Sequence, residues 1–399
     1  MLTEELLKRA SEIEPRITAL RRAIHAEPEL GLETPLTLAK ARAELADLPL
    51  EWQEGTSCTG AVATLKGAKP GRSVLLRGDM DALPMPEETG LPFASTIAGR
   101  MHACGHDTHT AMLAGAARIL CGKQGEIAGE VRFMFQPGEE GFHGARYMID
   151  DGLLDPMPDA AFAIHIMPNS PHGVIAGKPG AMLAAADMFD ITVKGRGGHA
   201  SMPHDTIDPV PPAAAIVGAL QSMVTRRFAA EEATVVTVTC LDAGTAHNVI
   251  GDNAALRGTI RTLSSQRREQ VHQALRETAQ NIAKAHGCEA QVDITEGFPV
   301  TNNDPRAVTL AQNIAEEMGG KAGWHAMSHS LMGAEDFSYV LEKTPGAMLF
   351  LGVAEDGVDW KSCCAIHSPR MMVDESVLPK GSAFLASCAA RFLEEGWAS

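Results

Sequence analysis

Between about Ala186 and Gly297 the apolar residues fall into six successive segments of strand or helix spacing, and that succession restricts the possible folds more than any other feature of the chain. "DMFDITVKG" alternates Phe189, Ile191 and Val193 at the two-residue period of a half-buried strand. "PVPPAAAIVGALQSMVTRR" follows, with its prolines confined to the start, where a helix tolerates them. "TVVTVTCL" and "ALRGTIRTL" read as strands. "SSQRREQVHQALRETAQNIAKAHG" reads as a helix with a serine cap, an apolar stripe at Val271, Leu275 and Ile282, and Gly287 as its stop. "EAQVDITEG" closes the set. The order β-α-β-β-α-β over roughly 110 residues is the split-βαβ signature of a ferredoxin-like sandwich, a small domain complete in itself.

The flanks carry a different signature. "AVATLKG", "SVLLRGD", "EVRFMFQP", "AAFAIHI" and "AMLFLGV" are short and several are apolar nearly throughout, as strands covered on both faces should be. Helical stretches at 4–26, 104–121, 306–319 and 375–394 are interleaved with them. A chain of 399 residues also exceeds what one hydrophobic core serves. The expected fold class is therefore α/β: a domain with a central, mostly parallel sheet, split into residues 1–185 and 298–399, with an α+β ferredoxin-like domain inserted at 186–297.

Charge and composition exclude several functions. The net charge is −16 and there is no long basic run, so neither nucleic acid nor an anionic membrane is an expected partner. The N-terminal "MLTEELLKRASEIEPRITALRRAIH" alternates charged and apolar residues and lacks the uninterrupted apolar stretch of a signal peptide; no window of 18 apolar residues occurs elsewhere. Cys58, Cys104, Cys121, Cys240, Cys288, Cys363, Cys364 and Cys388 are scattered without framework spacing. They read as reduced thiols, and the expected compartment is the cytoplasm.

Sites in open α/β sheets form at the carboxyl ends of strands. Here polar residues gather at those ends: Asp79 and Asp81 after "SVLLRG", Glu139 and Glu140 after "EVRFMFQPG", and His165 in "AAFAIHIMP". "MHACGHDTHT" puts Cys104 and His106 two apart at the mouth of an apolar helix, with His109 on the same helical face as His106. One cysteine or histidine there would be an ordinary buried thiol or cap. The cluster instead points to metal, which a thiolate at a helix N-terminus favours. An adjacent Glu-Glu pair is commonly a solvated loop feature, but after a buried strand one carboxylate can ligate while the other faces substrate. A metal ion lowers the pKa of its water to about 7, and a nearby carboxylate can take that proton. His165 alone could be a core histidine and His367, in "CCAIHSPR", a loop residue. With Cys104, His106 and Glu140 they make five donors, enough for two metals if one ligand bridges. Cys363-Cys364 form a rival candidate for a separate metal or redox site.

The inserted domain offers His199 after a glycine run in "KGRGGHASMPH", Asn248 in "GTAHNVIG" and Arg261 on the strand "LRGTIRTL". Each could be no more than a turn or surface residue. A domain inserted into the host of a metal site could also close over it as a lid.

Taken together, "RGDMDALP", "MHACGHDTHTAML", "QPGEEG", "GRGGHASMP", "GTAHNVIG" and "MGAEDFSYVLEKTPGAMLFLG" resemble the M20 metallopeptidase family, in particular its amidohydrolase branch of hippurate hydrolases, N-acyl-amino-acid amidohydrolases and auxin-conjugate hydrolases. The resemblance runs from about residue 20 to residue 393. It implies a two-metal catalytic domain with an inserted lid and dimerisation domain, hence a homodimer or higher homo-oligomer, acting on a small N-acyl amino acid. It implies Cys104 as a bridging thiolate, with His106, Glu140, His165 and His367 as the other ligands of two divalent ions. Glu139 is implied as general base, His199 as stabiliser of the oxyanion, and Asp81 as an acid that orients a ligand. Asn248 and Arg261 match positions near the substrate. Gly251 stands where proline is usual, and His247 and Met167 where bulkier aromatics are common, which bears on substrate preference rather than on chemistry. The donor set suits zinc and also admits manganese, cobalt or nickel. Two rivals remain open from the residues alone: an amidase with Cys104 as nucleophile, which would survive chelation, and a non-catalytic metal-binding or ligand-binding protein, which leaves Glu139 without a task.

Overall fold

The computed structural model describes residues 2–397. Strands β1 (Glu51–Glu54), β2 (Ala61–Lys66), β3 (Lys69–Asp79), β4 (Ala128–Gln136), β5 (Ala160–Met167) and β6 (Ile175–Gly177) come first in the chain. Then follow β7 (Ala185–Lys194), β8 (Thr234–Ala243), β9 (Asn253–Thr262) and β10 (Glu289–Glu296), and last β11 (Trp324–Ala326) and β12 (Gly346–Gly352). The helices that matter below are α1 (Leu2–Glu12), α2 (Glu14–His25), α3 (His106–Cys121), α4 (Val210–Arg227), α5 (Ser265–Ala285), α6 (Pro305–Gly319) and α7 (Leu378–Glu395). The chain divides into two compact units: Met1–Met182 with Asn302–His329 and Asp336–Ser399, and Leu183–Thr301 with Ser330–Glu335.

The first unit is built on an eight-stranded sheet in the order β1-β2-β4-β3-β5-β12-β6-β11. Its centre, β4-β3-β5-β12, is parallel throughout. The central strands are buried on both faces, which is why "AAFAIHI" and "GAMLFLG" show no alternation. Phe133, Phe135 and Phe162 are fully buried, each worth about 2–3 kcal/mol of apolar transfer. Helix α3 is buried along almost its whole length, packed among α2, α7 and β3. Gly115 permits that approach: a Cβ there would come within 2.3 Å of Ser382 Oγ.

The second unit is the expected sandwich. Its sheet runs β8-β9-β7-β10, every pairing antiparallel, with α4 and α5 packed on it. Its own core includes Phe189, Ile191, Leu256, Ile260, Val271 and Leu275. Ser264 caps α5 by accepting from Arg267 N–H, the cap read in the sequence.

Two local readings change. The helix expected over 4–26 breaks at Ile13, because Pro15 in the first turn of α2 has no N–H to continue the α1 ladder. The helix expected from residue 104 begins at His106, because Gly105 takes a left-handed φ of 88°.

Candidate metal centre

The strand ends of the first unit meet the N-terminus of α3. Gly105 sets the approach: a Cβ at this left-handed position would lie 2.5 Å from Ile166 Cγ1, so only glycine lets Cys104 and His106 close onto the end of β5. Cys104 Sγ then stands 3.3 Å from His165 Nε2. His367 arrives from a late loop with φ 65°, its N–H donating to Ala103 O at 2.7 Å. A non-glycine residue in this region carries strain of about 1–3 kcal/mol, the kind of cost found where a side chain is held for a purpose. His367 Nε2 comes within 3.3 Å of Glu140 Oε1.

Two groups of donor atoms result, each within 4.8 Å internally: Cys104, His106 and His165, and Cys104, Glu140 and His367. The thiol of Cys104 belongs to both. The structure therefore brings together all five residues that the sequence offered as donors.

Hydrogen bonding fixes which atom each histidine presents. His106 Nδ1 donates to the carbonyl of Asp81 at 2.7 Å, and His165 Nδ1 donates to the carbonyl of Ile166 at 2.7 Å. Both rings therefore turn Nε2 inward, as metal-ligating imidazoles do. His106 Nε2 is buried and has no hydrogen-bond partner, and Glu140 Oε1, equally buried, faces only the ring of His367. An orphaned buried polar atom is costly unless something else satisfies it, and His106 Nε2 aimed into a thiol–imidazole–carboxylate cluster fits a divalent cation.

The electrostatics divide the cluster. Burial opposes charge on His106, yet Asp79 and Cys104 outweigh it and raise its pKa well above the usual imidazole value. Hydrogen bonds to Cys104 and Glu140 push His367 up to about 10. Burial raises the pKa of the Cys104 thiol, against the pull of His106 and His367. Burial and the adjacent His109 hold His165 well below its usual value. Negative neighbours thus favour positive charge on His106 and His367, whereas burial favours the neutral forms of Cys104 and His165.

Asp81 serves the pair beside it. Its carboxylate is fully buried and accepts from the backbone N–H of both Glu139 and Glu140, at 3.0 Å each. This clamp sends the two side chains in different directions while both remain at the cluster. Glu139 Oε2 lies 3.9 Å from His106 Nε2, and Glu139 groups with His106 and Glu140 as potential ligands.

Sequence reasoning missed the layer beneath. Arg77, Gln136 and Asp336 are buried and joined to one another, and Arg77 also holds Asp79. The available signals were an arginine inside an apolar strand and a glutamine at the end of another. On a second side, Asp107 accepts from Arg21 Nε at 2.7 Å and pairs with His25 Nδ1 at 2.8 Å, anchoring the first turn of α3 to α2. Cys363 and Cys364 are half-buried and join no group of three potential metal donors among the described residues; all eight cysteines are free thiols.

In the second unit, His199 and Asn248 are neighbours. The short strand Gly198–His199 pairs with Val249–Ile250, and Ala200 N–H donates to Asn248 O at 3.1 Å. His199 is exposed, and its Nδ1 bonds Ser201 Oγ at 2.8 Å. Arg261 is not part of that ribbon. It pairs with Ala186 at one end of β7, whereas the ribbon follows Lys194 at the other.

With this geometry in hand, comparison with known proteins is decisive. The profile of "Peptidase family M20/M25/M40" matches residues 75–391. The chain belongs to that family. Among curated M20 relatives, N-acetylcysteine deacetylase of Bacillus subtilis is 37% identical over 95% of this chain and 97% of its own length. IAA-amino acid hydrolase ILR1-like 2 of Arabidopsis thaliana is 37% identical over 97% of this chain and 87% of its own. The crystal structure of the Bacillus subtilis YXEP protein, described as a dinuclear metal binding peptidase from the M20 family, superposes with a TM-score of 0.85 at 34% identity, covering 96% of this chain and 99% of that one. This M20 protein is a metal-dependent amide hydrolase, and its donor set supports two divalent ions. No helix among the described residues is long and apolar enough to cross a membrane.

Proposed function

We propose that the chain hydrolyses the amide bond of N-acyl amino acids, releasing a carboxylic acid and an amino acid. The observation that carries this reading is the Asp81 clamp: it holds Glu139 at a donor cluster whose His106 Nε2 is buried without a partner. Cys104, His106, Glu140, His165 and His367 would hold two divalent ions, with Cys104 shared. When bound, the ions supply Lewis acidity toward the scissile carbonyl and acidify water; the thiolate and imidazoles suit zinc, with manganese, cobalt or nickel as alternatives.

Glu139 takes the proton of the attacking water on its carboxylate and returns it to the nitrogen of the departing amino acid. One group serves both steps because the carboxyl formed in the first is the acid needed in the second. His199 donates a hydrogen bond to the charge that develops on the carbonyl oxygen. Asn248 and Arg261 contact the substrate, Asn248 from the same ribbon as His199 and Arg261 from the far end of the sheet. The second unit acts as lid and as dimerisation surface: β8 is an edge strand, with Val235 and Leu241 exposed along it. The protein works in the cytoplasm as a homodimer.

The relatives' names support the substrate class, since one removes acetyl from N-acetylcysteine and another cleaves IAA-amino acids. The test is a hydrolysis screen of acetyl-, benzoyl- and long-chain-acyl amino acids with Zn, Mn and Co supplied in turn, run on wild type and on Glu139→Gln. Wild type should turn over at least one substrate and lose activity to a chelator. The variant should keep its metal and lose about 100- to 10,000-fold in kcat. Activity that survives chelation would instead favour Cys104 as a nucleophile.

A further inference from the structure

Beneath the donor cluster runs a buried chain of charges that leads from Asp336 to the ring of His165. Asp336, from the motif "MGAEDFS", is fully buried; its carboxylate accepts from Gln136 Nε2 at 2.7 Å, Ala145 N at 2.9 Å and Arg77 Nη2 at 3.2 Å. Arg77, equally buried, also donates to Gln136 Oε1 at 2.8 Å and to Asp79 Oδ2 at 2.5 Å. Arg77 and Asp79 are two residues apart on β3, so both side chains project from one face of the sheet. Asp79 Oδ1 accepts from His109 Nδ1 at 2.6 Å. His109 Nε2 in turn accepts the backbone N–H of Ile166 at 2.9 Å, which fixes the proton on Nδ1. The Ile166 carbonyl holds His165 Nδ1, and the His109 ring packs against the His165 ring with centroids 4.5 Å apart.

We infer that Asp336, Arg77, Asp79 and His109 are positioning residues that aim His165 Nε2 at the ion in the Cys104, His106 and His165 group. Each link holds the next in one orientation, and the last holds both the ring of His165 and the peptide that fixes its tautomer. Arg77 has a second consequence. Asp79 Oδ2 lies only 3.5 Å from His106 Nε2, and Asp79, His106 and His109 themselves form a group of three potential donors. The guanidinium occupies that oxygen and keeps Asp79 an anchor rather than a competing ligand. The links from Arg77 through Asp79 and His109 lead to His165 and His106, so the effect is expected at the group these two share with Cys104.

The inference rests on the two-ion reading proposed above, and its test separates the two. Metal-free wild type and the variants Asp336→Asn, His109→Leu and His109→Gln are titrated with Zn²⁺ by calorimetry and with Co²⁺ followed by absorption, with unfolding midpoints measured on the metal-free proteins. Wild type should bind two ions; a single ion would overturn the proposed function and leave the positioning question without an object. In Asp336→Asn and His109→Leu, one of the two dissociation constants should rise about 10- to 100-fold, the range for partners that orient ligands, while the other stays within threefold. His109→Gln, whose amide oxygen can accept from Ile166 N–H, should recover much of that loss. Equal weakening of both ions, or no change in either, would overturn the inference. Should Asp336→Asn fail to fold, the two His109 variants carry the same comparison.

Discussion

Asp81 divides its work between two atoms, and one substitution separates them. Its backbone carbonyl holds His106 Nδ1, whereas its carboxylate accepts the N–H groups of Glu139 and Glu140 at 3.0 Å each. Asp81→Asn leaves the carbonyl in place, so His106 should keep its orientation and the ions should stay bound. The amide retains one acceptor oxygen but presents an NH₂ to the second backbone N–H. One charge-assisted hydrogen bond is lost and a buried donor is left facing a donor, together costing about 3 kcal/mol. The pair relieves this by moving, and Glu139 leaves the position from which it shuttles the proton. At about 1.36 kcal/mol per tenfold in rate, this corresponds to a fall in kcat of roughly 100-fold, the size expected from a displacement of about 1 Å at a reacting group. The assay is steady-state hydrolysis of the best N-acyl amino acid, with metal content measured on the same sample. We expect kcat to fall by two decades, KM to stay within threefold and two ions to remain. A fully metallated Asp81→Asn enzyme with wild-type kcat would refute the clamp.

Two further outcomes follow from the geometry. In the second unit, Asp187 accepts from His272 Nε2, Arg268 and Gly297 N–H; although burial opposes its charge, these partners hold its pKa at about 2. Because the folded-state pKa is depressed, the stabilisation is complete above about pH 4 and lost as pH falls through about 2; Asp187→Asn should therefore be about 2 kcal/mol less stable than wild type to urea at pH 7, the gap closing between pH 4 and pH 2. Gly105→Ala places a Cβ 2.5 Å from Ile166 at a φ of 88°, so urea unfolding should show a loss of about 2–3 kcal/mol and metal titration a weaker ion at the Cys104, His106 and His165 group.

What the sequence made legible depended on how local the signal was. The inserted sandwich was readable because each of its six elements carries its own period and its own stops, such as Ser264 and Gly287 around α5. The donors were readable because thiol, imidazole and carboxylate are rare at the ends of apolar strands and here recur at several. The break at Ile13 was missed because the helical spacing on either side outweighed Pro15. Strands β1, β6 and β11 were missed because three or four residues, in two cases mostly exposed, show no usable period. Arg77, Gln136 and Asp336 were invisible as a unit: Asp336 is 259 residues from Arg77, and only the parallel pairing of β3 with β4 sets Arg77 beside Gln136. Nor could the sequence say that Asp81 would act through its carbonyl as well as its carboxylate, since that depends on where the turn after β3 places each atom.

The account stands on a single thiolate shared between two groups of donors. Metal content per chain, measured after equilibrium dialysis against limiting Zn²⁺, tests it in wild type and Cys104→Ser. Wild type should hold two ions, and the serine variant should hold fewer than one, because both groups lose their common donor. Two ions retained by Cys104→Ser at unchanged affinity would contradict it.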